Sequence, residues 1–378
     1  MSAPGNDRLQ LAWRPFRFEL PIAMVTAHGA LVERRGWLLR LRRDDGAVGW
    51  GEAAPWPPSA LRSSPAATPP AQLLSEAQLV ALAATIADLG PELGRRELEQ
   101  QLPALPACLG FALGLALAEL DGLGAPWRAA PASAWLLPAG EAALAALELV
   151  LERVEQQQAT DPAAGGPGAA GAVAAPGAES VADWRGVPLQ PGVLTVKWKV
   201  AAGADCEERA VLEHLLARLP AGSRLRLDAN GGWDRSTAMT WAQRLRLEPR
   251  LEWLEQPLAP ADQAGWAALA AEVPVALDES LQLDPLLGSR WCGWQVRRPA
   301  LEGDPRPLLR QLLAGTPRLM LSTAFETGIG RRCLAHLAAL QQDGPTPTAP
   351  GLAPGWRPAG ALFADDPALV WAAAAGGR

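Results

Sequence analysis

Tyrosine is absent from this 378-residue chain, and histidine occurs only three times. Phenol chemistry is therefore excluded. His28, His214 and His336 are far apart in sequence, so no histidine cluster is indicated and acid–base chemistry falls to Asp, Glu, Lys or one isolated His. The four cysteines, Cys108, Cys206, Cys292 and Cys333, stand singly with no C-x-x-C pair, which points to neither a zinc knuckle nor a disulfide framework. No Lys/Arg cluster stands out and the net charge is −6, which argues against nucleic acid or an anionic membrane as partner. Long hydrophobic runs are also missing. The longest, "LGFALGLALA" at 109–118, is about half of the ~20 residues needed to span a bilayer and reads as a buried helix. The start, "MSAPGNDRLQ", carries no signal-peptide pattern. The expectation is a soluble cytoplasmic protein whose partner is a small molecule; the oligomeric state is left open.

The length suggests two domains, or one large barrel with an appendage. Residues 11–52 read as a small antiparallel sheet, with "DDG" at 44–46 as a hairpin turn. Helical stretches follow near 76–91 and 106–122, with a Pro/Ser/Ala-rich loop at 53–72 before them. This is an α+β cap, placed at 1–128 and completed by the C-terminal segment 355–378. A barrel domain is placed at 129–354, interrupted by an Ala/Gly/Pro insertion at 159–183 that is expected to be flexible.

After a short strand at 134–137 and a helix at about 141–157, a strand–helix rhythm begins at 193. Strands are expected at 193–199, 224–228, 251–255, 274–278, 293–298 and 318–322, each followed by a helix. That alternation means a parallel sheet. Seven strands, with "TAPGL" at 348–352 as a candidate eighth, give a TIM-like (β/α)7β barrel with an N-terminal α+β capping domain. The rival, an open doubly wound sheet, lacks a G-x-G-x-x-G turn after a first strand.

The chemistry gathers at strand ends. Lys199, Asp228, Glu255, Asp278, Arg298 and Ser322 each close one predicted strand, about one βα unit apart, and barrel strands end at a common mouth. In "TVKWKV", Lys197 and Lys199 alternate with Trp198 and so leave the same face, into the barrel. Two ammonium groups there are tolerable with acids opposite, and Asp228, Glu255 and Asp278 are placed to be those acids. Three carboxylates in turn call for a cation. Hard oxygen donors suit Mg²⁺, with Mn²⁺ as the alternative. A desolvated lysine beside a second lysine and a metal ion has its pKa pushed down, toward general-base use. Taken singly, each signal has a plain structural alternative. K-x-K also marks a solvated strand edge, "DANGGW" at 228–233 is also an Asx turn, and "EQP" and "DES" also cap the helices that follow.

"TVKWKV", "RLDANGGW", "WLEQP", "ALDES", "VRRPALEGD" and "LSTAFETGIG" resemble, in order, the strand-end motifs of the enolase superfamily, in its muconate-lactonizing branch. "TAHGALVERRGWLLRL" and "GWGEAAP" are similar to that branch's N-terminal domain, and "LLPAG" to its first barrel strand. The resemblance implies Lys199 as the base that removes the proton α to a substrate carboxylate, with Lys197 as electrostatic helper. It implies Asp228, Glu255 and Asp278 as Mg²⁺ ligands and Asn230 and Glu279 as their supports. Gly351 fits a backbone contact near the last strand, Ser322 a substrate contact, and segment 21–30 a cover over the mouth. Arg226 points the same way as Asp228, either toward a substrate carboxylate or into an internal ion pair.

One departure concerns the sixth strand, where the branch carries a K-P motif and this chain reads Val296-Arg297-Arg298-Pro299. Arginine stays protonated and cannot serve as a second base. This favours the branch's one-base dehydration over two-base racemisation, with cycloisomerisation or epimerisation of an acyl amino acid or dipeptide as the alternative. A non-catalytic barrel binding a carboxylate is the reading from another class. Ala353 after "PGL" is a second departure, at a position where relatives often carry a polar residue.

Overall fold

The computed structural model describes residues 8–26, 29–57, 71–72, 75–124, 126–159 and 193–374. The chain falls into two compact units, Met1–Ser133 with Ala276–Arg378, and Ala134–Val275. In the first, an antiparallel sheet is built from β1 (Arg8–Thr26), β2 (Gly29–Arg43), β3 (Val48–Ala53), β4 (Ala71–Gln72) and β5 (Glu92–Gly94). Its order is β3-β2-β1-β5, all antiparallel, with β4 beside β2 and parallel to it. The hairpin turn falls at 44–46 as expected. Gly46 adopts φ 89°, a conformation that only glycine enters without strain, and its N–H donates to Arg43 O at 2.9 Å.

Alternation decides which sheet face is buried. Leu9 and Leu11 on β1 and Leu39 and Leu41 on β2 are all buried. Their cover includes the helix Ala107–Leu120, apolar nearly all round and buried along almost its whole length. Gly49 and Gly51 let β3 touch that helix backbone to backbone, since a Cβ at either would overlap the carbonyl oxygen of Ala116 or Ala112. The helix Pro367–Ala374 also joins this unit. Trp371 O accepts from Arg14 Nη1 at 2.9 Å, and its ring lies 5.6 Å from that of Trp50.

Seven parallel strands follow chain order: β6 (Trp135–Leu137), β7 (Thr195–Lys199), β8 (Arg224–Asp228), β9 (Leu251–Glu255), β10 (Val275–Leu277), β11 (Trp294–Arg297) and β12 (Leu319–Leu321). With helices between them this is the TIM-like (β/α)7β class, carrying an N-terminal α+β cap. The candidate eighth strand shrinks to one bridge, Ser322 with Gly351. Ser133 Oγ braces the same segment, donating to Pro350 O at 2.9 Å and accepting from Leu352 N at 3.0 Å. The helix expected after the strand at 274–278 is the α-helix Glu279–Leu283, followed by a 3-10 turn at Pro285–Ser289. The insertion expected at 159–183 lies, from residue 160 on, outside the described residues, as does most of the loop at 53–72. Among the described residues no helix is long and apolar enough to cross a membrane.

Candidate active site

In the unit Ala134–Val275, the parallel register sets Lys199 opposite Asp228, and Asp228 opposite Glu255. Three strand ends thus stand level. Trp198, between the two lysines, is fully buried on the opposite face, its ring 6.4 Å from that of Trp241. Lys197 Nζ lies 2.8 Å from Asp228 Oδ2 and 2.6 Å from Glu255 Oε1, one ammonium shared by two buried carboxylates. Trp253 Nε1 donates to the other Glu255 oxygen at 3.3 Å. Burial pushes the Asp228 carboxyl up. The charges of Lys197 and Lys199 and the hydrogen bonds from Lys197 and Asn230 N outweigh it, holding the group below the usual carboxylate range.

Asn230 contributes through its backbone, N to Asp228 Oδ1 at 3.1 Å, with φ at 45°. Gln256, next to Glu255, is also left-handed, and its amide is held by Leu258 O at 2.9 Å. Left-handed non-glycine backbone of this kind gathers at functional sites. The loop after Lys199 is anchored by Glu208, whose carboxylate accepts from the N–H groups of Ala201, Ala202 and Gly203, each at 2.9 Å. Glu208 escaped the sequence reading. Its signal was only an acid in the first turn of the next helix, Asp205–Arg218.

Arg226 takes the ion-pair alternative. It is fully buried, with Nε 2.6 Å from Glu252 Oε2 and its guanidinium 4.1 Å above the Trp253 ring. The register slips between β8 and β9 at this point, leaving Glu252 as an extra residue free to turn toward Arg226.

In the unit that holds Ala276–Arg378, Asp278, Arg298 and Ser322 directly follow β10, β11 and β12. Arg298 grips Asp278 through Nη2, 2.7 Å from Oδ2, and Nε, 3.1 Å from Oδ1. Its Nη1 donates to Thr323 O at 2.5 Å. Gln282 Nε2 donates to Asp278 Oδ1 at 2.8 Å. Glu279 is buried in the first turn of its helix. Ser322 and Gly351 are in close contact: Gly351 N donates to Leu321 O at 2.8 Å, and Thr323 N to Gly351 O at 3.0 Å. Phe325 adopts φ 62°, with its N–H on Thr323 Oγ1 at 2.8 Å.

Among the described residues, no three of His, Cys, Asp or Glu are grouped to hold a metal ion. Each carboxylate of the expected triad is paired with a cationic side chain of its own unit, Asp228 and Glu255 with Lys197, and Asp278 with Arg298.

A parallel strand–helix barrel with lysines and carboxylates at its strand ends is the architecture of an enolase-type enzyme. The family model described as "Enolase C-terminal domain-like" matches residues 181–283. An o-succinylbenzoate synthase of Thermosynechococcus vestitus is 34% identical over 337 residues, 86% of this chain and 87% of the relative. The crystal structure of o-succinylbenzoate synthase from Thermosynechococcus elongatus, with magnesium in its active site, superposes with a TM-score of 0.67 at 31% identity, covering 94% of this chain and 96% of that one. The L-Ala-D/L-Glu epimerase of Bacillus subtilis shares the fold, with a TM-score of 0.63 at 19% identity over 93% of this chain and 91% of its own. The chain belongs to the enolase superfamily and is an enzyme: an o-succinylbenzoate synthase or a related member.

Proposed function

We propose that the protein is an o-succinylbenzoate synthase, a lyase that removes water from 2-succinyl-6-hydroxy-2,4-cyclohexadiene-1-carboxylate to leave 2-succinylbenzoate. In this reading it works in the cytoplasm, in menaquinone or phylloquinone biosynthesis. The observation that carries the reading is Lys197 Nζ shared between Asp228 and Glu255, with Lys199 on the same strand face and level with Asp228. The extended likeness to synthases of this kind supports it.

The donor chemistry fits a hard dication. Asp228 and Glu255 are buried, offer only oxygen and already hold one cation between them at 2.8 and 2.6 Å. By the resemblance, they and Asp278 would hold Mg²⁺ or Mn²⁺, with Asn230 and Glu279 supporting them. When bound, the ion supplies positive charge that acidifies the proton α to the substrate carboxylate.

Lys199 Nζ, as the free amine, takes that proton. The ammonium so formed then returns a proton to the departing hydroxyl on the same face. One C–H and one C–O bond break, water leaves, and the electron pair stays in the ring, which becomes aromatic. Lys197 holds the two carboxylates together and adds positive charge near the reacting carbon. Arg298 stands where the branch has a lysine and is spent on Asp278 and Thr323 O, which suits a reaction needing one base rather than two. Ser322 and Gly351 would meet the substrate near the last strand. The domains in this reading are the cap, 1–128 with 355–378, and the barrel, 129–354. Support for the first comes from Trp371, whose ring lies beside Arg14 and Arg40 of the cap strands at 4.5 and 5.1 Å.

The test is an ultraviolet assay with the cyclohexadiene substrate, with and without Mg²⁺. Lys199→Ala should lower turnover by about 100-fold or more, the usual share of a general base, with an unchanged circular dichroism spectrum. Near wild-type turnover in that variant would overturn the mechanism. Full racemisation of an N-acyl amino acid with isotope exchange at its α-carbon would move the assignment to an epimerase.

A further inference from the structure

The strand ladder ends one residue after Lys199. Val200 N donates to Asp228 O at 2.9 Å, and Ala201 then turns left-handed, with φ at 56°. The turn aims three successive N–H groups, those of Ala201, Ala202 and Gly203, at the Glu208 carboxylate, each at 2.9 Å. Successive N–H groups set around such a turn make a concavity for an anion. Here the chain supplies the anion itself. Glu208 is 2% exposed and reaches back from the first turn of the helix Asp205–Arg218, whose N-cap, Ala204, has no capping side chain. Hydrogen bonds to an ionised acceptor are roughly twice as strong as neutral ones. The turn also packs on the loop that follows Asp228: a Cβ at Gly232 would fall 2.8 Å from the Ala201 Cβ.

We propose that Glu208 is a positioning residue for Lys199: its carboxylate holds the turn 201–203, and the turn fixes the backbone from which the lysine side chain projects. The inference rests on the reading of Lys199 as the base and does not depend on a metal ion. A left-handed alanine is costly by itself, so the turn persists only while its three donors stay gathered. Lysine carries its ammonium on a flexible four-carbon stem, so a small tilt at the Cα is magnified at Nζ. A misplacement of about 1 Å caused away from the chemistry can cost about 100-fold in rate. Such a defect of aim slows proton removal and leaves substrate binding largely intact.

The experiment is steady-state kinetics of the full-length protein in the ultraviolet assay, for wild type, Glu208→Gln and Lys199→Ala. The cyclohexadiene substrate carries either hydrogen or deuterium at the carbon α to its carboxylate. Glutamine keeps the shape of the side chain and sets an NH2 donor against the N–H donors of the turn. In Glu208→Gln, turnover per folded molecule should fall about 10- to 100-fold with KM within about threefold of wild type. The deuterium isotope effect on turnover should rise, because proton removal has become the slower step. A merely structural defect removes active molecules, which scales turnover without moving the isotope effect. Glu208→Asp keeps the charge on a shorter arm, should give the same pattern, and serves if glutamine prevents folding. Wild-type turnover in the Glu208 variant, or lower turnover with an unchanged isotope effect, would overturn the inference; an inactive Lys199→Ala would leave the base assignment standing. Near wild-type turnover in Lys199→Ala, or no turnover by the wild type, would overturn the reading of the base, and the inference with it.

Discussion

Arg226 and Arg298 bear the same charge near strand ends, yet each is used differently. Arg226 lies one pleat below Asp228, with no exposed surface, between Glu252 and the Trp253 ring. Arg298 lies one residue past its strand and ties Asp278 to Thr323 O. Sequence spacing distinguished neither use, because both depend on which neighbour the register brings alongside. Glu252→Leu should leave the buried Arg226 guanidinium without that partner and cost roughly 3–5 kcal/mol, read from the urea midpoint at constant m. Adding Arg226→Met should restore part of the loss. A single variant as stable as wild type would show that the pair carries little. The placement of the two lysines, Asp228 and Glu255 on neighbouring strand ends, by contrast, was legible. Alternation puts Lys197 and Lys199 on one face, and a parallel register levels the strand ends. Gln282 and Glu208 were not legible, since a hydrogen bond to a neighbouring carboxylate or loop leaves no periodic trace.

Among elements, the periodic ones were read to within a few residues: the strands at 224–228 and 251–255 coincide with the observed spans, and the helices near 76–91 and 106–122 are Glu76–Leu89 and Ala107–Leu120. Short ones were missed. The helix Arg95–Gln101 starts at Gly94 with no side-chain cap, and Pro299–Glu302 is a single turn, so neither carries a start signal or a full period. The contact between β3 and the helix Ala107–Leu120 was also invisible, because it is made by absent side chains. Gly51→Ala would drive a Cβ into Ala112 O, which is backbone and cannot move aside. Overpacking of this kind costs about 1–3 kcal/mol or more. We expect a lower melting temperature for Gly51→Ala, while Gly222→Ala, at a glycine without a left-handed φ and with nothing close to its Cβ position, should change it little. Equal melting temperatures would contradict the close approach.

At the scale of the whole molecule, residues far apart in sequence meet as buried polar groups. Glu52, at the end of β3, accepts from Thr327 N at 3.1 Å, Gly330 N at 2.9 Å and the Thr327 hydroxyl, at the start of the helix Gly328–Gln342. Burial pushes its carboxyl up to about 7, against the pull of those donors and with the help of nearby Glu326. A carboxyl whose folded value is raised keeps its proton better folded than unfolded. Its contribution is therefore complete below the ordinary 4.5 and is lost as pH rises through about 7. Glu52→Leu should lower stability overall, by leaving buried N–H groups unmet, and should flatten the fall in melting temperature between pH 4.5 and 7. A slope equal to that of wild type in calorimetry would refute the assignment to Glu52.

The sequence by itself determined the fold class, the order of strands and helices, and which charged residues close which strands. These follow from periodicity and from turn chemistry, both local properties of the chain. Tertiary structure alone decided how the charges are spent: Lys197 shared by two acids, Arg226 sunk beside Glu252, Asp278 held by Gln282 and Arg298, Glu52 capping a helix 275 residues further along. Burial and hydrogen-bond geometry depend on neighbours that the linear order does not reveal, so the partners of a buried charge become visible only when the chain has packed.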